Sequence, residues 1–298
     1  MRWKNRRQSD NVIDRRGQRA PMRMGGMGNP LIGILLKLLF SGGKGSKFGL
    51  LLVGAGLFLM FKMGINPLSL LTGQSAGPVS NSAPPAQQSA AEQELADFVR
   101  VVLAETEDTW SRIFAEQGQR YPKPKLILFR GGVKSACGFA SSATGPFYCP
   151  GDNQVYIDLG FYEELRRKFE APGDFAQAYV IAHEVGHHIQ NITGVLPKFN
   201  KQRRSMSEVE ANRMSVRVEL QADCYAGIWA HDTARKDLLE AGDLDEALNA
   251  AEQIGDDAIQ ERLQGYVVPE SFNHGTSEQR KTAFMKGYQS GDPGSCTL

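Results

Sequence analysis

The stretch Ala176–Gly194, AQAYVIAHEVGHHIQNITG, holds three of the chain's five histidines, with a glutamate directly after the first. It reads as a helix. Ala176, Val180, Ile181, Ala182, Val185 and Ile189 form an apolar stripe, Asp174 stands where a cap would sit, and Gly194 stands where a helix can stop. Residues four apart on a helix lie one turn above each other, so His183 and His187 project side by side. Two imidazoles at that spacing suit one zinc ion, and Glu184, next to the first, suits the general base for a water. His188 lies about 100° further round the helix and is expected to have a structural or surface role.

A catalytic zinc needs a third protein ligand and an open position. The residues after His187 lack a third histidine at the spacing of the three-histidine motif. The next helical run, SMSEVEANRMSVRVELQADCYAGIWAHD, opens with Ser207 and Glu210 spaced as a capping box. Within it Glu219 and Asp223 are four apart, among the apolar neighbours Val218, Leu220, Ala222 and Ala226. That face offers Glu219 as ligand and Asp223 as acceptor for the far nitrogen of a metal-bound histidine. Asp223 itself, Glu210 and Glu208 are the rivals for the third position.

Three elements, AHEVGHHIQNITG, RVELQADCYAG and SFNHGTSEQRKTAF, together with the opening MRWKNRRQSDNVIDRRG, resemble the neutral zinc metallopeptidases anchored in the bacterial inner membrane. The resemblance covers the start of the chain and most of it from about residue 92 onward. It implies His183, His187 and Glu219 as zinc ligands, Glu184 as base and a zincin-like domain. Related glutamate zincins also carry a histidine with an arginine a few residues on, matching His274 and Arg280. That implies His274 as a second catalytic group, the donor to the oxyanion. Gly275 stands where those relatives have proline; Tyr225 and Tyr266 are alternative donors, and His274 could instead cap the helix that starts near Thr276.

The composition is divided along the chain. Residues 1–47 carry eleven Lys or Arg against Asp10 and Asp14 and show no core-forming periodicity, so they are expected to form a basic cytoplasmic tail. FGLLLVGAGLFLMF, continued by MGINPLSLLTG, gives a candidate transmembrane segment over 48–70. A cleaved signal peptide fits poorly, since the apolar run starts nearly fifty residues in. Residues 71–92 have linker composition, and 93–298 are long enough for one domain with a core. The basic side precedes the span, which predicts a cytoplasmic N-terminus and an outward-facing periplasmic domain. Membrane lipid is thus an expected partner through the anchor.

Cys137, Cys149, Cys224 and Cys296 all follow the span, and an even set in an oxidising compartment favours disulfides. The turn-rich CGFASSATGPFYC favours Cys137 with Cys149; Cys224 with Cys296 would then tie the ligand helix to the C-terminus, and a buried free thiol at Cys224 is the alternative. PKLILFRGG and NQVYIDLGF read as strands. The zincin resemblance makes CPGDNQVYIDLGF a candidate for a strand near the cleft, with a strand that simply covers the helix as the alternative. The fold class expected is α+β, mostly helical with a small sheet, preceded by a single transmembrane helix. A net charge of +1 and no basic patch interleaved with aromatics in the domain exclude nucleic acid as a natural partner. The function these readings support is a membrane-anchored, zinc-dependent peptidase acting on peptide or protein substrates. The alternative is a catalytically silent zincin-fold binding or scaffolding protein, against which the intact Glu184 argues.

Overall fold

The computed structural model describes residues 1–18, 89–141 and 144–297. The first long helix, α1 (Ala90–Glu116), starts at a capping box in which the Ser89 hydroxyl accepts from the Glu92 amide and Glu92 accepts from the Ser89 amide. One stripe of it, including Phe98, Val102, Leu103 and Trp110, is buried in the main core. Strands β2 (Lys125–Phe129) and β6 (Gln154–Asp158) then pair in parallel, Leu126 opposite Val155. Each is apolar for several consecutive residues, as strands covered on both faces must be. Between them lie the antiparallel hairpin β3 (Gly132–Ser135) and β4 (Gly138–Ser141), then β5 (Phe147–Cys149), which pairs antiparallel with β6.

After β6 the chain is helical: α2 (Gly160–Arg167), α3 (Asp174–Ile192), α4 (Val195–Arg203), α5 (Glu208–Arg235), α6 (Asp243–Gln253), α7 (Asp256–Gln264) and α8 (Ser277–Ser290). This is the mostly helical α+β arrangement expected. Helix α3 begins at Asp174 itself, with Gly173 in the capping position, and Gly194 follows its end in the left-handed conformation. The Ser207–Glu210 capping box forms at the start of α5. Three helices cross at unusually short range because glycines sit at the crossings. A Cβ on Gly186 of α3 would lie 2.9 Å from the Ala222 carbonyl oxygen of α5, and a Cβ on Gly227 or Gly287 would collide with the opposing backbone of α8 or α5.

The sheet has the order β1-β2-β6-β5, and its outer strand β1 (Val12–Asp14) comes from the basic N-terminal region. It pairs in parallel with β2, Ile13 opposite Ile127. The preceding residues dock on α1. Arg6 donates to Glu105 at 2.7 Å, the Ser9 hydroxyl to Glu107 at 2.5 Å, and Asn11 to the same Glu107 oxygen at 2.7 Å. Glu105 and Glu107 are almost fully buried, so such partners offset the cost of taking each carboxylate out of water. The Met1 ammonium is held by Asp174, Glu240 and Asp243.

Residues 1–18 therefore belong to the same compact unit as 89–297. This corrects the boundary drawn at residue 47: the tail expected to stand apart is folded in as far as residue 18. A tail separated from the domain by a membrane could not make these contacts, which stand against the single crossing expected between the two stretches. Composition misled because the basic residues are paired with carboxylates some hundred positions away. The expected span 48–70 and linker residues 71–88 lie outside the described residues. Among the described residues no helix is long and apolar enough to cross a membrane.

Candidate metal centre and its cleft

Helix α3 presents His183 and His187 on one face, their rings 4.8 Å apart, and α5 crosses it to bring Glu219 against both. His183 Nε2 lies 3.2 Å from Glu219 Oε2, and His187 Nε2 lies 3.4 Å from Glu219 Oε1. The three donor atoms lie within 4.8 Å of one another, so a single small cation could touch all of them. Two imidazole nitrogens and one carboxylate, with the fourth side facing a cleft, are the donor set of a catalytic zinc site. The residues fit zinc. Glu210, a rival for the third position, is engaged in its helix cap, and Asp223 takes the outer role, receiving the His183 Nδ1–H at 2.7 Å.

Asp223 is fully buried and held from three directions. Arg280 donates Nε to its Oδ2 at 2.9 Å and Nη2 to its Oδ1 at 3.0 Å, and the Tyr179 hydroxyl donates to Oδ1 at 2.6 Å. Burial alone would raise this carboxyl, but Arg280 and His183 outweigh it and hold it down at about 2. The charge of Asp223 acts on His183 in turn: burial would lower that imidazole, yet Asp223 and Glu219 raise it to about 10. Burial would also raise Glu219, but the two imidazoles bring it well below the usual carboxylate range. The pocket is thus built to receive positive charge.

His187 is oriented differently. Its Nδ1 meets the amide oxygen of Gln190 at 2.9 Å, three residues along the same helix. His188 is buried as expected of a structural residue, between the Tyr148 hydroxyl at 3.1 Å and the Pro122 carbonyl at 2.6 Å. Glu184 is buried beside the ligands, and burial raises its carboxyl.

A cleft of about 530 Å³ opens over the centre. Its walls include Phe147 and Tyr148 of β5, Phe161, Phe169, Val180, Ile254 and Ile259, and its floor includes His183, Glu184, His187 and Glu219. Among the described residues, His274 and Arg280 line it while Tyr225 and Tyr266 do not. Tyr225 is packed against Trp110 in the core. His274 Nδ1 lies 3.1 Å from Asp256 Oδ1, while the backbone amides of Asn273, His274 and Gly275 all donate to Asp256 Oδ2. The hydrogen bond to Asp256 raises the His274 imidazole. The cap of α8 is Thr276, so His274 is free of that task. The strand beside the cleft is β5, an edge strand, rather than β6, which is covered by β2 and β5.

Both disulfides form as paired in the sequence reading. Cys137–Cys149 ties the β3–β4 hairpin to the end of β5, and Cys224–Cys296 ties α5 to the C-terminal segment. Three residues at the centre escaped the sequence reading: Tyr179, Gln190 and Asp256. Tyr179 stands four before His183 on the same helix face and Gln190 three after His187, so periodicity could have found both. Asp256 meets His274 only through the tertiary fold.

The close crossing at Gly186 gives a direct check on this geometry. Gly186→Ala is expected to push α3 off α5 at Ala222, one turn from Glu219, costing about 1 to 3 kcal/mol of stability and weakening zinc binding. Thermal unfolding and a zinc titration measure the two effects; a variant with wild-type values for both would refute the account of the crossing.

A family model described as "Putative neutral zinc metallopeptidase" matches residues 1–298. The chain is 48% identical over 297 residues to the Escherichia coli (strain K12) protein "Uncharacterized protein YpfJ", covering 99% of this chain and 98% of that one. It is 40% identical over 210 residues to "Uncharacterized protein Rv2575" of Mycobacterium tuberculosis (strain ATCC 25618 / H37Rv), covering 67% of this chain and 70% of that protein. No solved structure matches the chain. Zinc is the metal the family implies, a group of side chains that could hold it lies between α3 and α5, and the chain belongs to this neutral zinc metallopeptidase family.

Proposed function

We propose that the protein is a zinc-dependent peptidase with Glu184 as its general base. The observation that carries this reading is a buried Glu184, its carboxyl raised, lining the same cleft as the two-histidine, one-glutamate donor set. When bound, zinc polarises a carbonyl and lowers the pKa of a coordinated water. Glu184 takes the proton of the attacking water and delivers it to the departing amine. Asp223, Arg280 and Tyr179 hold His183 with its Nδ1–H outward, leaving Nε2 free. An extended substrate pairs with the open edge of β5, and the apolar walls favour bulky apolar side chains next to the scissile bond. Casein hydrolysis by the purified protein should stop with a chelator and return with zinc; hydrolysis indifferent to both would sink the proposal.

His274 is the donor to the developing oxyanion in this mechanism. His274→Ala is expected to lower kcat by about 10² to 10³ while leaving zinc content unchanged. Because Asp256 raises the imidazole, its cationic form is present on the acid side and is lost as pH rises through that raised pKa. Asp256→Asn should therefore move the alkaline limb of kcat/KM to lower pH. A limb that stays in place would remove His274 from the role.

Two disulfides suit an oxidising compartment outside the cytoplasm. Attachment to the inner membrane through residues 48–70 belongs to this reading, not as the single crossing expected from the sequence but with residues 1–18 kept on the same side as the catalytic unit. Sedimentation of the full chain with membranes tests the attachment, and recovery in the soluble fraction would exclude it.

A further inference from the structure

The two zinc-site histidines are held by partners of different kinds. His183 leans on the charged Asp223, whereas His187 leans on a neutral amide that has no orientation of its own. An amide can present oxygen or NH₂ to a neighbour, and which one it presents depends on its other contacts. For Gln190 those contacts are specific. Its Nε2 donates to the Val218 carbonyl at 2.6 Å and to Gln221 Oε1 at 3.0 Å. Gln221 in turn donates its Nε2 to the Cys296 carbonyl at 2.7 Å. Both glutamines are buried, so each misplaced polar atom would be costly.

The two backbone carbonyls at the ends of this chain can only accept. The Cys296 carbonyl fixes Gln221 with its oxygen toward Gln190. Gln221 and Val218 then fix Gln190 with its oxygen toward His187, which must answer with Nδ1–H. That tautomer leaves the lone pair on Nε2, the nitrogen that faces Glu219. The far end is pinned by the Cys224–Cys296 disulfide, whose α5 cysteine is next in sequence to Asp223.

We propose that the disulfide-held C-terminal segment is a latch that sets the metal affinity of the centre through the relay Cys296–Gln221–Gln190–His187. Gln190 and Gln221 are positioning residues, and an oxidised Cys224–Cys296 pair is the condition for full zinc binding. The inference rests on the zinc reading of the site. An oxidising compartment then does more than stabilise the fold, because zinc is held fully only where the latch has closed.

The test is the zinc Kd of the full chain, read by competition with a chromophoric chelator, together with the unfolding temperature. Gln190→Leu should weaken zinc by about 10 to 100-fold, the usual size of the effect for a group that orients a ligand. Gln221→Met and the Cys224→Ser/Cys296→Ser pair should each weaken it several-fold. Serine replaces cysteine so that free thiolates do not bind the metal themselves. Combining Gln221→Met with the serine pair should weaken zinc no further than either alone, since both cut one relay. A lowered unfolding temperature with unchanged zinc Kd, or effects that multiply in the combined variant, would overturn the relay. If the serine pair does not fold, Gln221→Met with the disulfide intact decides alone. A wild-type protein that binds no zinc would instead refute the metal site.

Discussion

Glu184→Gln is expected to keep its zinc and to lose peptide hydrolysis by about 10² to 10⁴-fold, the range that proton transfer by a positioned side chain contributes. The amide preserves the shape of a buried side chain but cannot accept a proton at neutral pH. Glu184 coordinates nothing in the arrangement of donor atoms: the three that converge belong to His183, His187 and Glu219. Its carboxyl, raised by burial, is a stronger base than a solvated one, and that advantage disappears with the substitution. Single-turnover hydrolysis of a fluorogenic peptide, with zinc measured on the same sample, separates the two properties. Loss of zinc along with activity would make Glu184 part of the metal shell rather than the base.

The second large effect falls on the metal. Glu219→Gln removes the carboxylate that faces both Nε2 atoms and should weaken zinc by more than the 10 to 100-fold expected when an orienting group is lost. Asp223→Asn should stay within that smaller range, since it loosens His183 without vacating a ligand position. It also leaves Arg280, buried and charged, without its main counter-charge, so the variant should be less stable as well. Isothermal titration with zinc ranks the two. If Asp223→Asn stripped the metal and Glu219→Gln kept it, the roles of these carboxylates would have to be exchanged.

Much of the centre was legible because it is built on helix periodicity. His183 and His187, and then Glu219 and Asp223, are each four apart, so one rule places each pair on one face. Donor chemistry then separated ligand from orienter. Arg280 was noticed only as a companion of His274, yet its guanidinium lies on Asp223 and Tyr179, a contact no local spacing encodes. Asp256 was invisible for the same reason. The zincin resemblance offered CPGDNQVYIDLGF for the cleft strand, whereas Phe147 and Tyr148 of the edge strand β5 line it; strand propensity shows that a segment pairs, not whether it lies at an edge. The N-terminal residues failed differently: their charge pattern resembled a solvated tail, and only the buried Glu105 and Glu107 on α1 show what that charge is for.

The docking of residues 1–18 also bears on how the protein can be made and cut. Ser9 and Glu107 are 98 residues apart in the chain. The outer strand therefore cannot settle until α1 and β2 exist to receive it, and such distant pairings close late and slowly. A shortened chain started at the compositional boundary near residue 93 would lack that strand altogether. It would bare the edge of β2, an apolar row with unpaired backbone groups that invites pairing between molecules. It would also strip two buried carboxylates of their arginine, serine and asparagine partners. The smallest faithful version of this protein keeps its first eighteen residues.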